Sequence, residues 1–191
     1  MSAVASAHIR TEEGTFVSIS KGLGKVGVAL KWDPSPIGAP VHDLDLVAAT
    51  YTADDPYGKP AYLVTFDSRS PDGTITLDRE SRTGQGFGPD EALTLELERL
   101  ASSYARVVVG VVIQQSGGRM TFGDVANTAV EVTEGYTQLA DDDFAGVAGS
   151  TAATVAEFVR GESGGWELRA GVRGFDAEPD EFAALMGRKP A

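Results

Sequence analysis

The run Val107-Val108-Val109-Gly110-Val111-Val112-Ile113 constrains this chain more than any other segment. It is almost wholly β-branched, which suits an extended backbone and not a helix. It is also far too short to cross a membrane. An apolar run without alternation reads as a central strand covered on both faces. A chain built around it needs further strands beside it and a layer on each side.

Those strands are visible as short alternating segments. Phe16-Val17-Ser18-Ile19, Val26 to Leu30, Asp45 to Tyr51 and Tyr62 to Phe66 come first. Thr74 to Leu77, Leu93 to Leu97 and Ala129 to Val132 follow. Val155 to Arg160 and Trp166 to Val172 form a late pair across the connection Gly161-Glu162-Ser163-Gly164-Gly165. Helical signals are few. Leu97, Leu100, Ala101 and Tyr104 suggest a short turn, and Pro179 to Met186 a C-terminal helix, with Pro179 near its start and Gly187 as its stop. The expected fold is all-β: a sandwich of two mainly antiparallel sheets with a few short helices. The 191 residues suit one domain. Residues 1–14 are expected to be a flexible tail, and 15–191 the domain.

Charge narrows the partners. Acidic residues outnumber basic ones 28 to 16, a formal charge of -12. Such a field repels nucleic acid and anionic membranes and attracts cations. The absence of cysteine excludes disulfides, thiolate metal sites and cysteine nucleophiles. The first residues show neither a charged leader nor an apolar run, so a cytoplasmic protein without a membrane span is expected.

Carboxylates gather in two segments, His42-Asp43-Leu44-Asp45-Leu46 and Asp78 to Glu91. Asp43 and Asp45, at i and i+2, point to one face of an extended chain. Gly84, Gly86 and Gly88 permit a tight loop with inward carbonyls. Carboxylates and carbonyls together are what Ca²⁺ requires. Turn formation by the same residues is the plainer reading of the pattern.

Several pieces in order resemble one family. Val28-Ala29-Leu30-Lys31-Trp32-Asp33 is similar to an opening strand that ends Gly-Trp-Asp, and Asp43-Leu44-Asp45 to an Asp-Leu-Asp. Ser70-Pro71-Asp72-Gly73-Thr74 is similar to a Ser-x-Asp-Gly turn. Thr83-Gly84-Gln85-Gly86 with Asp90-Glu91 is similar to an acidic glycine-rich loop. Phe122 to Asn127 resembles Phe-Gly-x-Val-x-Asn, and Ala153 to Arg160 with Trp166 to Ala170 resembles a terminal hairpin. Together they resemble the TerD family of tellurium-resistance, stress-response domains, from about Val17 to Gly187. The resemblance implies a β-sandwich that binds calcium through acidic loops, serves in stress response, and carries no enzymatic activity. Other stress-response proteins are its implied partners. It leaves Asp43, Asp45, Glu80, Asp90 and Glu91 as candidate calcium ligands.

Three donors expected from the resemblance are missing: Val41, Phe87 and Pro89 stand where acids are usual. Arg79-Glu80-Ser81 replaces Gly-Asp-Asn, with Glu80 keeping a carboxylate. The alternative expectation is therefore a metal-independent protein-interaction domain with a degenerate calcium site, Phe87 being its contact residue.

Other signals carry less. Gly22-Leu23-Gly24-Lys25 lacks the first glycine and the final Ser/Thr of a phosphate loop. His8 and His42 are the only histidines, and the Gly-x-Ser-x-Gly string of Gly161 to Gly165 joins two expected strands and not a strand to a helix, so it is no nucleophile elbow. Asp141-Asp142-Asp143 reads as a solvated connection. Trp32 and Trp166 read as core anchors.

Overall fold

The computed structural model describes residues 6–10, 16–20 and 22–189. Among the described residues the fold has twelve strands, one α-helix and three short 3-10 turns. β1 (Ser6–Arg10) and β2 (Phe16–Ser20) form an antiparallel pair of their own. The expected boundary of the tail, at residue 14, lies outside the described residues.

The remaining strands are β3 (Lys25–Lys31), β4 (Leu44–Thr52), β5 (Tyr62–Val64), β6 (Ile75–Arg79) and β7 (Glu91–Glu96). They continue with β8 (Tyr104–Ile113), β9 (Ala129–Glu134), β10 (Thr137–Asp142), β11 (Ala152–Arg160) and β12 (Trp166–Phe175). Two five-stranded antiparallel sheets result, in the orders β10-β9-β3-β7-β6 and β12-β11-β8-β4-β5.

Alternation decides which residues enter the space between the sheets. Val26, Val28 and Leu30 of β3, Leu93 and Leu95 of β7, and Val130 and Val132 of β9 face it from the first sheet. Leu44, Leu46 and Ala48 of β4 and Val107, Val109, Val111 and Ile113 of β8 face it from the second. All are buried.

The opposite face of the second sheet is buried too. Val47, Ala49 and Tyr51 of β4 and Val108 and Val112 of β8 pack against Phe182 and Met186 of the C-terminal segment. Helix α1 (Pro179–Leu185) brings Phe182 there. Pro179 starts it without wasting a donor, and Asp180 and Glu181 lie in its first turn. A side chain at Gly110 would stand 2.5 Å from the Phe182 ring, so only glycine admits the helix at that point. The run around Val107 is thus central and doubly covered, as its composition predicts, although its sheet is antiparallel.

One expectation needs correction. Asp141 and Asp142 are not in a solvated connection; they end β10, an edge strand paired with β9. None of its six residues is buried, so the usual alternating strand signal is absent. The carboxylates also build the turn that follows. Asp142 accepts from the Phe144 amide at 2.6 Å and Asp143 from the Ala145 amide at 3.0 Å. Phe144, at φ 61, is thereby turned inward onto Phe122, ring centroids 4.4 Å apart.

The register places four connections at one pole of the sandwich. β3 ends where β7 begins, with Leu30 opposite Glu91, and β9 begins there as well. β4 begins where β8 ends, with Leu44 opposite Ile113, and β11 enters beside them. Residues 32–43, 80–90, 114–128 and 143–151 therefore crowd together at that pole.

Candidate metal centre

All five candidate ligands lie at this pole, but they do different work. Asp90 is buried, and its Oδ2 accepts the Trp32 amide at 3.0 Å while its own amide donates to the Leu30 carbonyl at 2.8 Å. It prolongs the β3–β7 pairing past the strand ends. The Trp32 indole Nε1 donates to the His42 carbonyl at 3.0 Å. Gly84, at φ +66, lies so close that a Cβ would be 2.7 Å from that same nitrogen. Trp32 therefore ties the loop of residues 32–43 to the glycine-rich loop of residues 80–90, and it is the core anchor expected. His42 packs within this joint, Nδ1 3.2 Å from the Asp33 carbonyl.

Glu91 opens β7 with the alternation of Leu93 and Leu95, which puts it on the core side. It is fully buried. Oε2 accepts the Leu46 amide at 2.5 Å, and Oε1 has no hydrogen-bond partner. Burial pushes its pKa up to about 9; the Leu46 hydrogen bond opposes this, and Asp45, Glu80 and Asp43 add to it.

Asp45 lies one position earlier than Leu46, opposite Val112, and so on the other face of β4. Gln114 donates through Nε2 to its Oδ2. Burial raises the Asp45 pKa, and Gln114 pulls it back. Asp43, at the same parity, is held from the chain side by the Gln114 amide, which donates to its carbonyl at 2.8 Å. Its Oδ1 is buried without a partner. Burial first, then the charge of Asp45, pushes the Asp43 pKa up to about 6, while Arg82 works against them. Glu80 is at the exposed margin, 3.6 Å from Arg82.

The carboxylates thus stand on both sides of β4 and not around one point. Among the described residues, no three His, Asp or Glu side chains converge closely enough to hold a metal ion by themselves. Asp43 and Asp45 face one way with Glu80 near them, and Glu91 backs them through the Leu46 amide. Gln114 and Arg82, which sequence reasoning did not single out, belong to the same constellation. Their only sequence signal is position: Gln114 directly follows the β8 run, and Arg82 sits two residues after Glu80. A groove of about 690 Å³, bordered by Lys31, Glu131, Asp141, Asp142 and Asp143, lies on the first sheet and includes none of the five.

The donor chemistry of Asp43 and Asp45 is hard oxygen, and one oxygen is orphaned in a buried position. It fits a divalent cation such as Ca²⁺ that completes its shell with backbone carbonyls, Glu80 and water. It does not fit a soft metal, because the chain has no cysteine.

The chain is similar to known proteins in both sequence and structure. The TerD domain family model matches residues 8–185. A crystal structure of a homologue of telluride resistance protein (TerD) from Streptomyces coelicolor A3(2) is 60% identical, with a TM-score of 0.87, over 88% of this chain and 100% of that one. A solved protein described as of unknown function is 61% identical, again with a TM-score of 0.87, over 89% of this chain and 100% of that one. The tellurium resistance protein TerD of Alcaligenes sp is 26% identical over 169 residues, 85% of this chain and 88% of that protein.

Proposed function

The chain belongs to the TerD domain family, and on that premise we propose that it is a non-enzymatic stress-response protein of the tellurium-resistance type that binds Ca²⁺ at one pole. Asp43 and Asp45 are the coordinating carboxylates, and Glu80 closes the exposed side. Asp90 and Glu91 support them from within, through Trp32 and the Leu46 amide.

The observation that carries this reading is Asp43 Oδ1, buried and unpartnered beside a second buried carboxylate. A buried charge without a partner is costly, and a hard cation relieves both the desolvation and the repulsion. A site with so few carboxylates binds weakly, with a Kd on the order of 10⁻⁴ to 10⁻³ M. Binding orders the pole by linkage and presents its loops to partners.

Exposure of Phe87 favours a second reading. It is 98% exposed at the tip of the glycine-rich loop, where an acid is usual in the family it resembles. An interaction domain that needs no metal would use such a side chain as an anchor.

Calorimetric titration of chelator-treated protein separates the two. Saturable Ca²⁺ uptake that is absent in Asp43→Asn and unmatched by Mg²⁺ is expected. Absence of heat at millimolar Ca²⁺, with a melting temperature indifferent to chelator, would leave the metal-free domain as the reading.

A further inference from the structure

The pole that gathers the carboxylates also gathers apolar side chains with nothing covering them. Ile37 and Phe87 are fully exposed, at 108% and 98%, and Val41 is 47% exposed. Ile37 and Val41 lie in the loop of residues 32–43, Phe87 in that of residues 80–90. Trp32 fastens both loops to one another, so the tips stand on a common base. Pro34, Pro36 and Pro40 stiffen the first loop. Cations stand at the same end: Lys31 is exposed, and Arg82, 3.6 Å from Glu80, and Arg119, 2.9 Å from Asp176, keep side chains 76% and 57% exposed in surface ion pairs weak enough to exchange for phosphate.

Single exposed apolar residues are ordinary on protein surfaces. Here they project from two neighbouring loops, and the described grooves lie along the outer face of the first sheet, lined by neither Ile37, Val41 nor Phe87. A protein partner would have to supply a matching pocket for each tip. A lipid interface accepts isolated tips without shape complementarity, and its phosphates meet the surrounding Arg and Lys side chains. A formal charge of -12 opposes approach to an anionic bilayer. That repulsion is relieved at this pole when a divalent cation lies between the carboxylates and the headgroups.

We infer that this pole docks reversibly on an anionic phospholipid surface when calcium is present, with Phe87 and Ile37 entering the interfacial layer and Arg82 and Arg119 facing the phosphates. The inference rests on the calcium reading above.

Co-sedimentation with vesicles of phosphatidylcholine, with and without phosphatidylglycerol, tests it in Ca²⁺, Mg²⁺ and chelator. Calorimetry with Ca²⁺ alone, free of vesicles, runs beside it. The expected result is binding only to vesicles containing phosphatidylglycerol and only in Ca²⁺. Phe87→Ala and Ile37→Ala should each weaken it about tenfold, as removal of one inserted side chain does, while leaving calcium uptake and the melting temperature unchanged. Calcium uptake without vesicle binding overturns the docking alone and assigns the tips to a protein partner. Vesicle binding that is indifferent to both substitutions overturns it as well. Failure of calcium uptake together with failure to bind vesicles overturns docking and calcium reading together.

Discussion

Replacing Glu91 by Gln isolates the energetics of the pole. Gln keeps the shape and an oxygen for the Leu46 amide but has no proton to lose. In the folded protein burial, aided by Asp45, Glu80 and Asp43, holds the Glu91 pKa near 9, against an ordinary value of 4.5. An acid whose pKa is raised by folding keeps its proton in the native state after the unfolded chain has released it. Its contribution is therefore fully present below pH 4.5 and is lost as pH rises towards 9. At pH 7 the loss amounts to about 3 kcal/mol, at 1.36 kcal/mol for each pH unit above 4.5. Urea unfolding in chelator should show the wild type losing stability from pH 4.5 to 8, with Asp43 adding to the slope below pH 6 because its pKa is raised to about 6. Glu91→Gln should match the wild type near pH 4.5, exceed it by about 3 kcal/mol at pH 7, and show a flatter profile. Parallel profiles, or a variant less stable than the wild type at pH 7, would refute the claim that the fold carries Glu91 as a neutral acid.

Two further substitutions test the frame around the site. Phe182→Ala should destabilise by about 3–5 kcal/mol, the cost of emptying a fully buried aromatic position, and should increase dye binding by uncovering Val108 and Val112. Thermal melting and dye fluorescence read both effects. Arg106→Lys should lower stability by about 2 kcal/mol in the same melts, because the buried guanidinium serves Glu157 at 2.8 Å and the carbonyls of Pro56 and Gly187 at 2.9 and 2.6 Å, a fork that an ammonium cannot reproduce. A fall smaller than measurement error would show that the three contacts are not held simultaneously.

The sheets were legible in the sequence wherever one face is buried, since Val, Ile and Leu then recur with period two. That holds for β3, β7 and β9. The central strand was legible because both its faces are covered. β10 was not, as an edge strand with small and acidic residues has no core face to mark it. The site was legible in its residue types more than in its arrangement. Pairing of Asp43 with Asp45 follows from parity, but the position of Glu91 across β4 depends on the register between two sheets. That register comes from contacts distant in sequence, and so do the Gln114 and Arg106 hydrogen bonds. Nothing local in the chain marks such partners.

The seat of Phe182 over Gly110 also has a consequence for the growing polypeptide. During synthesis β4 and β8 are complete long before α1 exists, so their second face leaves the ribosome as an uncovered sheet of Val47, Ala49, Val108 and Val112. Between those two moments the nascent sandwich is a sticky object whose cover of Phe182 and Met186 is still unmade. A message cut short before codon 182 would yield a product whose first core can form but whose second cannot, a natural substrate for chaperones and quality-control proteases. Closing the second core is therefore left to the latest of the described elements to emerge.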